Sequence, residues 1–262
     1  MSVLLAAFLT LSTSPVVTPP DDDEFAGITS VDTRADDDEN KRYFLIGSEG
    51  AKAPKKGFKL LLVLPGGNGS ADFEPFVKRI YKNALNEEYL AAQLVAPVWA
   101  EDQAESLVWP TDEHEWKGME FSTEDFIASV IADVEKEHEI DPSYIFTLGW
   151  SSGGPPIYSY SLRKKTRVTG TFVAMSVFKP NQLPSLKAAK GQAYFLLHSP
   201  DDFIPIAMAE EAEKQLKKKK AKVELLTYPG GHGWRGNVWG NIKAGIAFLE
   251  KNHGKPAKRP KR

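Results

Sequence analysis

Three side chains, far apart in this sequence, belong to types that together can activate a hydroxyl group. Ser151 lies in Gly149-Trp150-Ser151-Ser152-Gly153, a G-x-S-x-G pentapeptide that follows the apolar run 144–148. Glycines on both sides let the backbone bend sharply from strand to helix without Cβ clashes, and the serine hydroxyl then stands clear of the sheet. Serine is a weak nucleophile until its proton is removed, and imidazole is the side chain suited to that task near neutrality. His232, between glycines in Tyr228-Pro229-Gly230-Gly231-His232-Gly233-Trp234, is the candidate base. A carboxylate on the second imidazole nitrogen would fix the tautomer and stabilise the imidazolium that forms. Asp202 is the first choice and Asp201 the second, both within His198-Ser199-Pro200-Asp201-Asp202-Phe203-Ile204-Pro205. The chemistry is acyl transfer through a serine. Its developing oxyanion needs donors held ready in advance. The N–H of Ser152 supplies one, its side chain having no assigned part, and Gly67 in Pro65-Gly66-Gly67-Asn68-Gly69 supplies the other.

These groups need a scaffold that brings four loops to one edge. Apolar runs at 59–64, 93–98, 144–148, 169–176, 192–198 and 222–228 have the length and continuity of buried strands, and 43–46 is a shorter candidate. Between them lie stretches of helical spacing. In 72–90 the apolar positions are Phe73, Phe76, Ile80 and Ala84; after Ser122, a candidate N-cap with Asp125 at N3, they are Phe126, Ile127, Val130, Ile131 and Val134. Asp141-Pro142 is expected to stop that helix. Pro155 and Pro156 fit the first turn of the next one, where a missing N–H costs least. Segments 206–220 and 237–251 complete the set, the latter with Ile242, Ile246 and Leu249 on one face. Strands alternating with helices imply a doubly wound, mostly parallel sheet with helices on both faces. In such sheets ligand sites form at the C-terminal strand ends, where all four loops fall.

Composition limits the alternatives. The chain has 262 residues, 42% hydrophobic and 26% charged, with a formal net charge of −2, which offers no general attraction to nucleic acid. It contains no cysteine, so disulfides, thiolate metal sites and a cysteine nucleophile are excluded. The apolar run 3–11 is too short to span a bilayer and has the length of a signal-peptide core, though no basic residue precedes it. An exported protein, secreted or periplasmic, is the expectation, with a cytoplasmic one as the alternative. Residues 1–40, with two acidic runs, are expected to be a signal-like segment and unstructured linker; 41–254 form the domain; 255–262 are a basic tail. A dinucleotide loop at Gly67-x-Gly69 is disfavoured, because Asp72 would repel a pyrophosphate. His114 lacks an H-E-x-x-H partner, since position 118 is glycine, and His198 is expected as a structural hydrogen-bonding residue at a strand end. No metal or cofactor is expected. Trp109, Trp150 and Trp234 are candidates for the walls of a substrate pocket.

The four segments, L-P-G-G-N-G, G-W-S-S-G, H-S-P-D-D-F-I-P and Y-P-G-G-H-G-W, resemble those of the α/β-hydrolases over residues 41–254. The nearest group is the carboxylesterase/phospholipase and dienelactone-hydrolase-like esterases. The resemblance implies Ser151 as nucleophile, His232 as base and Gly67 in the oxyanion loop, and it favours Asp202, four residues after His198. Two features depart from the pattern: Pro65 stands where many members have histidine, and Ile204-Pro205 follows Asp202 one residue early, which keeps Asp201 open. The implied activity is cleavage of small carboxylic esters through an acyl-enzyme. A peptidase of the prolyl-oligopeptidase type and a non-catalytic scaffold are the alternatives; the first is disfavoured because no propeller-length region precedes the domain.

Overall fold

The computed structural model describes residues 24–256, and the structural statements below refer to those. The apolar run 3–11 and the basic residues from 257 onward lie outside them. Eight strands form one sheet in the order β1-β2-β4-β3-β5-β6-β7-β8. They are β1 (Ile28–Arg34), β2 (Arg42–Ser48), β3 (Phe58–Leu64), β4 (Tyr89–Leu94), β5 (Ile140–Trp150), β6 (Gly170–Ala174), β7 (Ala193–His198) and β8 (Lys222–Thr227). β1 and β2 are antiparallel to their neighbours, and from β4 to β8 every pairing is parallel. The helices are α1 (Glu74–Ala84), the single turn α2 (Gln103–Ser106), α3 (Thr123–Glu137), α4 (Gly154–Ser161), α5 (Ala207–Lys218) and α6 (Val238–Asn252).

Two apolar cores, one on each face, follow from the two-residue period of the strands. Leu60, Leu62 and Leu64 of β3 and Tyr194 and Leu196 of β7 face α3, α4 and α5. Leu61 and Val63 of β3, Phe146, Leu148 and Trp150 of β5, and Phe195 of β7 face α1 and α6. Both faces are dry, which is why these strands read as unbroken apolar runs.

Three expectations need correction. Residues 28–34, assigned to an unstructured linker, form β1. Ile28, Thr29, Val31 and Thr33 are β-branched and suit a pleated edge, and all seven residues of β1 are in register with β2. Three of the acids between 32 and 39 are paired: Asp32 with Arg42 at 2.7 Å, Asp36 with Lys41 at 2.9 Å and Glu39 with Arg34 at 3.0 Å. Such exposed pairs add little individually, so the backbone ladder is the main support. The helix expected over 72–90 ends at Ala84, because Asn86 makes a turn through Tyr89 N–H (3.0 Å) and its side chain accepts Glu88 N–H (3.1 Å). β4 therefore begins at Tyr89 rather than near 93. Asp141-Pro142 lies inside β5 and does not stop α3, which ends at Glu137. β3 pairs with Ile140 and then next with Ile145, so Pro142 sits where the ladder is interrupted and no N–H is required.

Ser122 caps α3 as expected, its side chain accepting Asp125 N–H at 3.2 Å. In the first turn of α3 the fully buried Glu124 ties three segments together. Its carboxylate accepts the Ser159 hydroxyl from α4 and the N–H of Asp112 at 3.2 Å. Burial pushes its pKa up to about 7, from an ordinary value near 4.5. Between those values the folded chain binds more protons than the unfolded chain, so Glu124 lowers stability as pH rises through that window. Relative to wild type, Glu124→Gln is expected to gain about 2–3 kcal/mol of stability between pH 4.5 and pH 8. Denaturant titrations across that range check this, and a difference that does not vary with pH would contradict it.

Candidate active site

β5 runs straight into the 3-10 turn Ser151–Gly153 and then α4. At the turn Ser151 has φ of +50°, a left-handed conformation that side-chain-bearing residues rarely adopt. The chain passes here so close to its neighbours that a Cβ at Gly153 would overlap the Leu64 carbonyl oxygen, and one at Gly149 would overlap the Gly153 carbonyl. Only glycine fits both positions. Pro155 and Pro156 then occupy the first turn of α4, as expected. The Ser176 hydroxyl donates to the Ser151 carbonyl at 2.6 Å and fixes the turn from the β6 side.

Parallel register brings the remaining loops alongside. Leu64 of β3 pairs with Gly149, Trp150 with Ala174, Ala174 with Leu197, and His198 with Thr227. The result is a continuous row of strand ends. At that row His232 Nε2 stands 3.2 Å from Ser151 Oγ, and His232 Nδ1 stands 2.9 Å from each oxygen of Asp202. A carboxylate can only accept, so in the neutral ring Nδ1 carries the hydrogen and Nε2 accepts from the Ser151 hydroxyl. The Asp202 side chain is wholly buried, whereas that of His232 is 26% exposed. Asp202 also accepts the Ile204 N–H at 2.8 Å, which helps satisfy a carboxylate cut off from water.

Asp201, the second choice for the acid, is elsewhere: it is exposed, and its carboxylate accepts the Gly230 N–H at 3.4 Å. His198 is buried and its Nε2 donates to the Ile204 carbonyl at 2.9 Å, a structural bond of the kind expected from the sequence. Gly67 lies in the turn after β3, and the Ser152 side chain, given no part by the sequence, reaches it. Its hydroxyl donates to the Gly67 carbonyl at 2.9 Å, so the two candidate oxyanion segments are tied together.

The tryptophans divide. Trp109 lines a cavity beside Ser152, and its indole N–H donates to the Pro65 carbonyl at 3.0 Å. Trp150 and Trp234 do not line that cavity. They pack edge to face at 5.7 Å, and both meet Phe76, in an aromatic cluster on the α1 and α6 face. Trp150 lies there because its position in β5 has the same parity as Phe146 and Leu148. His114 is exposed, in a short turn where it bridges Thr111.

Sequence reasoning missed two residues that hold the histidine loop. The buried Tyr228 directs its hydroxyl at the Gly233 carbonyl (2.8 Å) and the Gly231 carbonyl (3.2 Å), one on each side of His232. Burial pushes its pKa up to about 12, so the hydroxyl stays a donor. Ser199 Oγ accepts the N–H groups of both Asp201 and Gly231 at 3.1 Å, linking the acid loop to the histidine loop. Tyr228 stood in the quoted motif, but nothing local reveals that the loop folds back over it.

The fold and the row of loops define an α/β-hydrolase. Residues 75–237, which include Ser151, Asp202 and His232, match the dienelactone hydrolase family, and the chain belongs to that family. Solved structures of similar fold include a bacterial heroin esterase, at 17% identity over 87% of this chain and 85% of that one, with a TM-score of 0.63. A carboxylesterase of Bacillus cereus is similar at 16% identity over 87% of this chain and 95% of that one, TM-score 0.57. MGS-M1, an α/β hydrolase from a Medee basin deep-sea metagenome library, shares 16% identity over 79% and 84% of the two chains, TM-score 0.58.

Replacing Tyr228 with Phe leaves the Gly231 and Gly233 carbonyls without their donor. Tyr228→Phe is expected to destabilise the protein by about 1–3 kcal/mol, measured by chemical denaturation. A variant as stable as wild type would show that water replaces the hydroxyl at no cost.

Proposed function

We propose that the protein is a serine esterase that cleaves carboxylic esters through an acyl-enzyme on Ser151. The observation that carries this reading is the unbroken relay from Ser151 Oγ to His232 Nε2 (3.2 Å) and from His232 Nδ1 to Asp202 (2.9 Å). His232 takes the Ser151 proton as Oγ attacks the ester carbonyl carbon, and the oxygen of that carbonyl becomes an oxyanion. The N–H groups of Ser152 and Gly67 receive it, aided by the positive end of α4. The ester C–O bond breaks, and His232 Nε2 hands the proton to the departing alkoxide, which leaves as an alcohol. Water then repeats the sequence on the acyl-serine, releasing a carboxylic acid and restoring Ser151. Asp202 keeps its charge throughout and stabilises the imidazolium.

Membership of the dienelactone hydrolase family supports a hydrolase, and the esterases among the structures of similar fold agree with the ester as substrate. Ser151→Ala is expected to abolish release of p-nitrophenol from p-nitrophenyl acetate. Asp202→Asn is expected to lower kcat by roughly 10³–10⁴, because the amide favours the wrong imidazole tautomer. A fluorophosphonate probe should label Ser151 in the native protein only. Undiminished turnover in Ser151→Ala would remove the proposal, and absence of both labelling and turnover would favour a non-catalytic scaffold.

A further inference from the structure

Two features lie beside the Ser151–His232 pair, one next to the serine turn and one against the imidazole. The first is a cavity of about 180 Å³ lined by Trp109, Tyr158, Val177 and Leu183. Ser152 and Pro155, from the turn and helix that carry Ser151, also line it, whereas no residue of the acid loop or histidine loop does. Its titratable lining residues are His114 and Lys179, both exposed, and the buried Tyr158; no carboxylate borders it. The second is Phe203. It is 77% exposed, and its ring centroid lies 4.4 Å from that of His232. A large apolar side chain left this open, pressed on a reactive imidazole, is available to a ligand.

Reaction geometry assigns the two. In serine acyl transfer the base that deprotonates the nucleophile must also protonate the leaving oxygen, so the alcohol lies next to His232 Nε2. The carbonyl oxygen points to the Ser152 and Gly67 N–H groups. The remaining substituent of the carbonyl carbon, the acyl chain, points away from both, and the cavity bordered by Ser152 and Pro155, which no residue of the histidine loop lines, is the space beside Ser151 left for it. Resting on the serine-esterase reading, we propose that the cavity beside Ser152 receives the acyl chain and that Phe203 receives the alcohol. At about 30 Å³ for each water-sized group the cavity holds roughly six such groups, so its ligand is a short, uncharged acyl chain. The alcohol side is open to solvent and offers an aromatic face, so it tolerates bulk and prefers aryl groups. The substrates are thus aryl or bulky esters of short aliphatic acids, with the size limit on one limb only.

Two ester series separate the limbs. With p-nitrophenol fixed, acyl chains from acetyl to dodecanoyl are expected to raise kcat/KM about 3-fold per methylene up to roughly six carbons. Beyond that length kcat/KM falls, by about 10-fold or more at decanoyl. With acetate fixed, alcohols from methyl to naphthyl should show no such limit and should rank aryl above alkyl. Leu183→Ala and Val177→Ala should move the acyl optimum to longer chains and Leu183→Trp to shorter ones, each variant checked for a native melting transition. Phe203→Ala should reduce the aryl preference without moving the acyl optimum. A length limit in the alcohol series, or an acyl optimum that no substitution at 183 or 177 moves, would overturn the assignment while Ser151 still labels with fluorophosphonate. Failure to hydrolyse any of these esters, with Ser151 unlabelled, would overturn the serine-esterase reading and this assignment with it.

Discussion

The close passage of β5 over the end of β3 is the constraint on which the rest of the site depends. Gly153 sits against the Leu64 carbonyl with no room for a Cβ, and two residues earlier Ser151 is held at a φ of +50°. A non-glycine residue in that region costs on the order of 1–3 kcal/mol, and it persists only where its surroundings determine it. Here the surroundings are the β3–β5 register, the apolar cores on both faces and the Ser176 bond to the Ser151 carbonyl. The strained turn directs the Ser151 hydroxyl toward the loops that follow β7 and β8, where it meets His232.

Trp234, Ile204 and Tyr228 anchor those loops in the core, and directional bonds set the shape between the anchors. The buried carboxylate of Asp202 is the most demanding group among them, because an unpaired charge there would cost several kcal/mol. It is met by His232 and by the Ile204 N–H, while His198 secures the Ile204 carbonyl from below. Tyr228 and Ser199 hold the histidine loop from two directions. Tyr228 and Ser199 act on the imidazole through the backbone, so the position of His232 is set by the direct bond from Asp202 together with several bonds to its loop.

The two faces of the sheet contribute differently to the site. On the α1 and α6 side, Trp150, Trp234, Phe73 and Phe76 fill the space under Ser151 with a rigid aromatic cluster. On the other side the loop before α3, the start of α4 and the segment after β6 leave a cavity, and Glu124 ties Asp112 and Ser159, neighbours of the lining residues Thr111 and Tyr158, to the start of α3. A packed floor and a hollow flank leave the Ser151 turn firmly held and open on one side.

Much of this is legible in the sequence. Strand and helix order, the two-sided burial of the central strands, and the Ser–Asp–His sequence of loop residues all follow from local patterns, since periodicity and glycine-rich turns act over a few residues. β1 was missed because its acids suggested a solvated linker, and only its pairing with β2 and Arg42 makes it a strand. Asp201 and Asp202 are adjacent and chemically alike. Which of them meets His232 depends on a loop 30 residues later, placed by the β7–β8 register. The same holds for the Ser152 hydroxyl, which finds Gly67 across 85 residues, and for Trp109 and Trp150, separated by strand parity and loop path. By itself the sequence determined which chemical groups are present, in what order, and on which kind of element. Only the tertiary structure decided which of them touch, because contact direction is set by register and packing between segments distant in the chain.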